Sequence, residues 1–212
     1  MSHKTIAEPV NARSRRTRTA LLSAARAILA ERGFEALTMT AVADRAGVTR
    51  RAAYLHFAAR ADLVGALFDY VAEAEGLAAS LRPVWDAPDA VAALDQWAAH
   101  LARYHARLLP IDRALQRVRH DDADAAAHYA RVSGAQLANC QRLAQRLRQE
   151  GRLAAPWTVA SARDMLYALT SSEVIGALTE DRAWPPERVG EHLAIVFRSA
   201  LAAPPGHRRP RP

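Results

Sequence analysis

Residues 38–57 read TMTAVADRAGVTRRAAYLHF, and the spacing inside this stretch decides how the rest of the chain is read. Thr38 is a hydroxyl residue placed to cap a short helix, MTAVADRA, and Gly47 supplies the backbone freedom that stops it. Thr49 is placed to cap a second short helix that runs through Phe57. Neither segment is long enough to be stable alone. Val42, Ala46, Val48, Ala53 and Phe57 fall where two such helices pack on each other and on a third, and Ala43 is small where they approach. With those positions inward, Thr49, Arg50, Arg51 and Tyr54 point outward together. A helix end that offers guanidinium groups and hydroxyls suits the base edges of a major groove. The plainer alternative is a helical hairpin with a solvated basic face.

Charge separates these alternatives further. Only Lys4 joins the 28 arginines among the 29 basic residues of this 212-residue chain. Residues 1–60 hold Lys4 and ten arginines against Glu8, Glu31, Glu35 and Asp44, which is the whole formal charge of +7. The remaining residues, 61–212, sum to zero. Such asymmetry points to a polyanion-binding module joined to a neutral body. Apolar residues make up 50% of the chain, rich in Ala and Leu, which favours helix over sheet.

Outward from the opening stretch, residues 1–16 are polar and aperiodic and read as a flexible basic arm, with Arg13, Arg15, Arg16 and Arg18 at its junction. Leu21, Leu22, Ala25, Ile28 and Leu29 recur at helical spacing up to Gly33. A longer helix is expected from Arg60 towards Leu81, broken at Pro83. Leu94, Trp97, Leu101, Tyr104 and Leu108 mark another over 89–108, and Pro110 is expected to separate a short helix, 111–119. Further helices are expected over 123–149, from Pro156 to about Thr179, and from Pro186 to about Ala202, with Trp184 stapled onto Val189. The tail 204–212 reads as disordered. The fold class is therefore all-α: a three-helix helix-turn-helix domain at 17–60 and a helical domain at 61–203.

The segments RGFEALTM, VADRAGVTRRAAYLHF and ARADLVGAL, spread over residues 17–70, resemble the tetracycline-repressor (TetR) family of bacterial transcription regulators. The resemblance implies a homodimer that binds a palindromic double-stranded DNA operator and responds to a small-molecule effector, with a repressor as the usual sign. A cytoplasmic location is expected from the single cysteine and from the lack of an uninterrupted apolar run. It implies that Thr38 caps the first short helix, that Thr40 and Thr49 lie beside DNA, and that Arg50 and Arg51 lie over base edges. Tyr54 and His56 match the family's backbone-contacting positions, and Arg60 stands where a lysine usually meets a phosphate. Arg51 departs from the pattern, since the family commonly has a small residue there, and so does Ala53, which replaces a larger apolar residue.

In the second half, the last two long helices, 157–179 and 186–202, carry small residues and an apolar stripe (Val189, Leu193, Val196, Phe197, Ala200) that would serve either a dimer interface or the subunit's own core. The resemblance also implies an effector pocket among the middle helices. Trp97, His100, Leu101, Tyr104, Tyr129, Cys140, Met165, Leu169 and Glu173 are the candidates, although plain core explains most of them as well.

Other functions fit less well. No Gly-rich phosphate loop, nucleophile elbow or HExxH is present. His120, Asp121, Asp122, Asp124 and His128 offer metal-binding residue types, but acidic residues ahead of a helix are expected as caps and dipole partners, so neither metal nor cofactor is expected. The lone Cys140 suits a reducing compartment. SRRTRTALLSAARAILA (14–30) faintly resembles a twin-arginine export signal, yet Arg18, Arg26 and Glu31 interrupt its apolar run. A sequence-independent architectural DNA binder is the remaining alternative.

Overall fold

The computed structural model describes residues 11–204; the first ten residues of the expected arm, and 205–212 of the expected tail, lie outside the described residues. The helices are, in chain order, α1 (Ala12–Arg32), α2 (Met39–Arg45), α3 (Arg50–His56), α4 (Arg60–Ala74), α5 (Leu77–Trp85), α6 (Ala90–His100), α7 (Ala106–Val118), α8 (Ala123–Gln149), α9 (Val159–Leu169), α10 (Ser172–Gly176) and α11 (Pro186–Leu201). Among the described residues the one β-contact is an isolated bridge, Leu153 to Ala202. The chain divides into two compact units. The first takes residues up to Ala74 together with Pro110–Ala130, and the second takes Glu75–Leu109 and everything from Arg131 onward. The expected boundary at residue 60 falls inside the first unit.

The first unit is built on α1, whose Leu21, Leu22, Ala25, Ile28 and Leu29 are buried as their spacing predicts. α1 starts earlier than expected. The Asn11 side chain accepts a hydrogen bond from the Ser14 amide at 2.8 Å, capping a helix that takes Arg13, Arg15 and Arg16 into its first turns instead of leaving them in an arm. The short helices α2 and α3 contribute Met39, Val42, Ala43 and Ala53, which join Phe34, Leu37, Phe57, Leu63 and Leu67 in the core. Fully burying a leucine or phenylalanine is worth about 1.5–3 kcal/mol, and this is what holds helices too short to persist alone. Arg45 and Glu31 fasten α2 to α1 with two 2.6 Å hydrogen bonds on the surface.

In the second unit α11 packs along α6, with Trp97, Leu94 and Leu101 buried against Val189, Leu193 and Phe197. The crossing is close. A Cβ built on Gly190 would stand 3.2 Å from the Ala102 Cβ, a separation reached only because position 190 has no side chain. Trp157 donates from Nε1 to the Ala200 carbonyl at 2.6 Å, holding the segment before α9 to the end of α11.

Two prolines do not break helices where the sequence suggested. Pro83 sits inside α5, near its end, and the carbonyl it leaves unbonded belongs to exposed Ala79, which water can reach. The helix instead breaks earlier, at Gly76, which has φ +72°. Pro110 sits inside α7, and a π-turn over Leu101–His105 joins α6 to α7 ahead of it, so residues 90–118 stay helical throughout. The expected helix from Pro156 to Thr179 begins only at Val159, under a Thr158–Ser161 capping box, and is interrupted at Thr170 and Ser171, where Ser171 caps α10. A second π-turn, Ala177–Asp181, follows.

Candidate nucleic-acid interface and effector residues

Local chemistry fixes the ends of both short helices. Thr38 Oγ1 accepts from the Ala41 amide at 3.1 Å, and Thr49 Oγ1 accepts from the Ala52 amide at 3.1 Å. Gly47 between them has φ +67°, the left-handed conformation that stops α2. With Ala53 and Phe57 buried, Thr49, Arg50, Arg51 and Tyr54 are all exposed, and Thr40 is exposed on α2. Arg50 lies with its guanidinium 5.6 Å from the Tyr54 ring, one turn along, so both occupy one strip of the helix. The arrangement can present fixed hydrogen-bond donors to base edges from the N-terminal end of α3, with an aromatic hydroxyl behind them.

His56 is half-buried at the C-terminal end of α3. Burial, and then the nearby charge of Arg18, holds its imidazole below the ordinary value. Arg18 itself is turned inward. It donates to the His56 carbonyl at 3.2 Å and lies 4.5 Å from the centre of the Phe57 ring. A basic side chain on the last carbonyls of a helix is a recognised cap, but its partner lies 38 residues away, and nothing in the local spacing connects the two. Leu55 was also missed. It is 70% exposed beside Tyr54.

Arg60, expected beside a phosphate, is engaged within the protein. Its Nε donates to the Leu37 carbonyl at 2.7 Å, Nη2 to the Phe34 carbonyl at 3.3 Å, and Nη1 to Asp122 at 3.0 Å and Asp124 at 2.9 Å. Asp122 also accepts from the amides of Asp124 and Ala125, both at 3.0 Å, and so caps α8. Burial would raise the Asp122 carboxyl, but the Arg60 hydrogen bond and charge, with those two amides, hold it below the ordinary value. His128 is buried and stacked on Phe68 at 3.6 Å between ring centres. Among the described residues no group of three or more His, Cys, Asp or Glu is placed to hold a metal.

The effector candidates divide. Trp97, His100 and Tyr104 stack on successive turns of the α6–π segment, with ring centres 5.2 and 5.4 Å apart. His100 is buried, its Nδ1 is 2.8 Å from Ser80 Oγ, and desolvation, helped by His105 and Arg103, pushes its pKa down to about 3. The ring is neutral at physiological pH. The Trp97 Nε1 is buried with no hydrogen-bond partner among the described residues. Leu101 and Cys140 lie in the same core, with Leu169 packed against it. Burial pushes the Cys140 thiol up to about 12, which removes it as a redox-active thiolate. Three candidates differ from these in burial or unit. Met165 and Glu173 are exposed, and Tyr129 belongs to the first unit, under the Arg119 guanidinium at 4.2 Å.

Comparison with known proteins agrees with this geometry. Residues 21–67 match the model for bacterial regulatory proteins of the tetR family. Among curated proteins no match is found. Among solved structures, NalD of Pseudomonas aeruginosa, the secondary repressor of the MexAB-OprM multidrug efflux pump, is 24% identical with a TM-score of 0.70, over 92% of this chain and 100% of that one. The SmeT–triclosan complex is 21% identical with a TM-score of 0.68, over 92% and 99%. A transcriptional regulator from Saccharomonospora viridis in complex with choline is 13% identical with a TM-score of 0.68, over 88% and 98%. These likenesses carry the fold. No described helix is long and apolar enough to cross a membrane.

Proposed function

We infer that this chain, a bacterial regulatory protein of the tetR family, is a homodimeric repressor that leaves a palindromic operator when a small molecule occupies its second unit. The observation that carries the DNA reading is α3, a capped helix whose buried side is Ala53 and whose exposed side is Thr49, Arg50, Arg51 and Tyr54. Arg50 and Arg51 are assigned to base edges, where an arginine pairs with guanine through two hydrogen bonds. Thr40, Tyr54 and His56 are assigned to the DNA backbone beside them, and Thr38 and Thr49 fix the helix ends from which they work.

One recognition helix covers few base pairs, so specificity calls for two. The second unit supports a second copy, because α9 and α11 leave Met165, Ile195 and Val196 39%, 50% and 43% exposed. Val196, read from the sequence as part of a stripe serving either a dimer interface or the subunit's own core, is exposed beside Ile195. An effector is supported by the Trp97–His100–Tyr104 stack with its unpartnered indole nitrogen, and by neighbours described with triclosan and with choline. Occupation would move the paired α3 helices off the roughly 34–36 Å spacing of successive major grooves and so lower operator affinity.

The test is selection of bound duplexes from a random pool, followed by compound-driven release and light scattering of the free protein. A palindromic consensus and a dimer mass at micromolar concentration are expected. Equal affinity for selected and scrambled duplexes would favour an architectural DNA binder, and a monomer would remove the dimer.

A further inference from the structure

We propose that Arg60 is a positioning residue for DNA reading, not a phosphate ligand. It fastens the connection between α1 and α2 to the first turn of α8, and so holds the start of α2 in place; the proposal rests on the DNA-binding reading above. The hydrogen bonds carry the argument. A guanidinium has five N–H donors, and four of them are taken by the Leu37 and Phe34 carbonyls and by Asp122 and Asp124. One face of the group is also covered, with the Phe34 ring centre 4.8 Å away. What remains for a phosphate is one N–H on a half-buried side chain.

Helix electrostatics point the same way. A cation in the first turn of α4 meets the positive end of that helix and is disfavoured there on its own. Asp122 and Asp124 stand at the positive end of α8, where carboxylates are favoured, and their charges compensate Arg60. The clamp acts close to the reading head. Leu37, whose carbonyl takes the shortest of these hydrogen bonds, directly precedes Thr38, whose side chain caps α2 through the Ala41 amide. A lysine would supply charge at this site but not the fork that joins two carbonyls to two carboxylates.

The experiment uses the full chain and four variants, Arg60→Ala, Arg60→Lys, Asp122→Asn/Asp124→Asn, and the three positions combined as Arg60→Ala/Asp122→Asn/Asp124→Asn. Each is titrated with a random-sequence duplex over a range of salt concentrations. Positioning predicts that all four weaken binding about tenfold, the combined variant no more than the others, with the salt slope unchanged. A phosphate ligand predicts instead that Arg60→Ala flattens the log–log slope by about 0.9, that Arg60→Lys retains binding, and that the two Asn substitutions tighten it. Any of these three results overturns the proposal. Amide exchange at Ala41 and Val42, read without DNA, tests the clamp separately. Faster exchange in Arg60→Ala and in Asp122→Asn/Asp124→Asn is expected, and unchanged protection overturns the clamp whether or not the duplex binds. If the unaltered chain binds no duplex, the DNA reading fails while exchange still decides the clamp.

Discussion

In the first unit α3 turns the cations Arg50 and Arg51 outward beside Tyr54 and Leu55, whereas in the second α9 and α11 leave the apolar Met165, Ile195 and Val196 outward among charged neighbours. α3 buries Ala53 and presents Arg50, Arg51 and Tyr54; α9 and α11 bury Leu166, Val189, Leu193 and Phe197 yet present Met165, Ile195 and Val196. Each unit has completed its own core, so these exposed groups are surplus to folding. This surplus is what the proposed partners rest on: a polyanion for the guanidinium groups, and another apolar surface for the aliphatic ones. The first unit is also selective about its cations. Arg18 and Arg60 are turned inward on backbone carbonyls, so the charge count alone overstates what is offered to DNA.

The comparison breaks most visibly at the apolar side. Ile195→Asp combined with Val196→Asp should leave the fold intact, since both are exposed, but separate the proposed dimer. Loss of the second half-site should then weaken binding to a selected duplex by roughly a hundredfold or more, read by light scattering and titration together. Next, Arg51→Ala should cost about 1–3 kcal/mol on the selected duplex and relax preference at particular bases, whereas Tyr54→Ala should weaken selected and scrambled duplexes alike. Equal losses on both duplexes for Arg51→Ala would place it on the backbone instead. Thr49→Ala removes the cap that starts α3 and should lower unfolding stability by about 1 kcal/mol in a urea titration. The smallest effect is one of pH. The Asp122 carboxyl is held below its ordinary value, so the stability it contributes is present above the ordinary carboxylate range and lost as acid protonates it. Below about pH 5 the unaltered chain should therefore lose stability more steeply than Asp122→Asn, followed by denaturation at stepped pH.

Local signals explain which parts could be read in advance. Thr38 and Thr49 as caps, and Gly47 as a stop with φ +67°, involve interactions within three or four residues. The buried stripe of α1 follows from a period that sequence displays directly. What escaped was decided at a distance. The inward turn of Arg60 depends on carboxylates 62 and 64 residues away. Whether Pro83 and Pro110 end a helix depends on water at a freed carbonyl and on a π-turn upstream, neither of which composition records. Helical spacing likewise does not distinguish Met165 and Glu173, which are exposed, from the buried Trp97, His100 and Tyr104. Asn11 is the exception, because an Asn three residues before a serine amide is a cap signal that could have been read.

Gly190 gives the second unit a calliper. With 3.2 Å between a Cβ at this position and the Ala102 Cβ, even alanine requires its neighbour to give way, and a larger residue must lift α11 off α6. Ile195 and Val196 ride on the opposite side of the same helix and would be carried outward with it. Variation at a site that never meets solvent is thus constrained by a surface two turns away, and a residue without a side chain sets where two exposed ones stand.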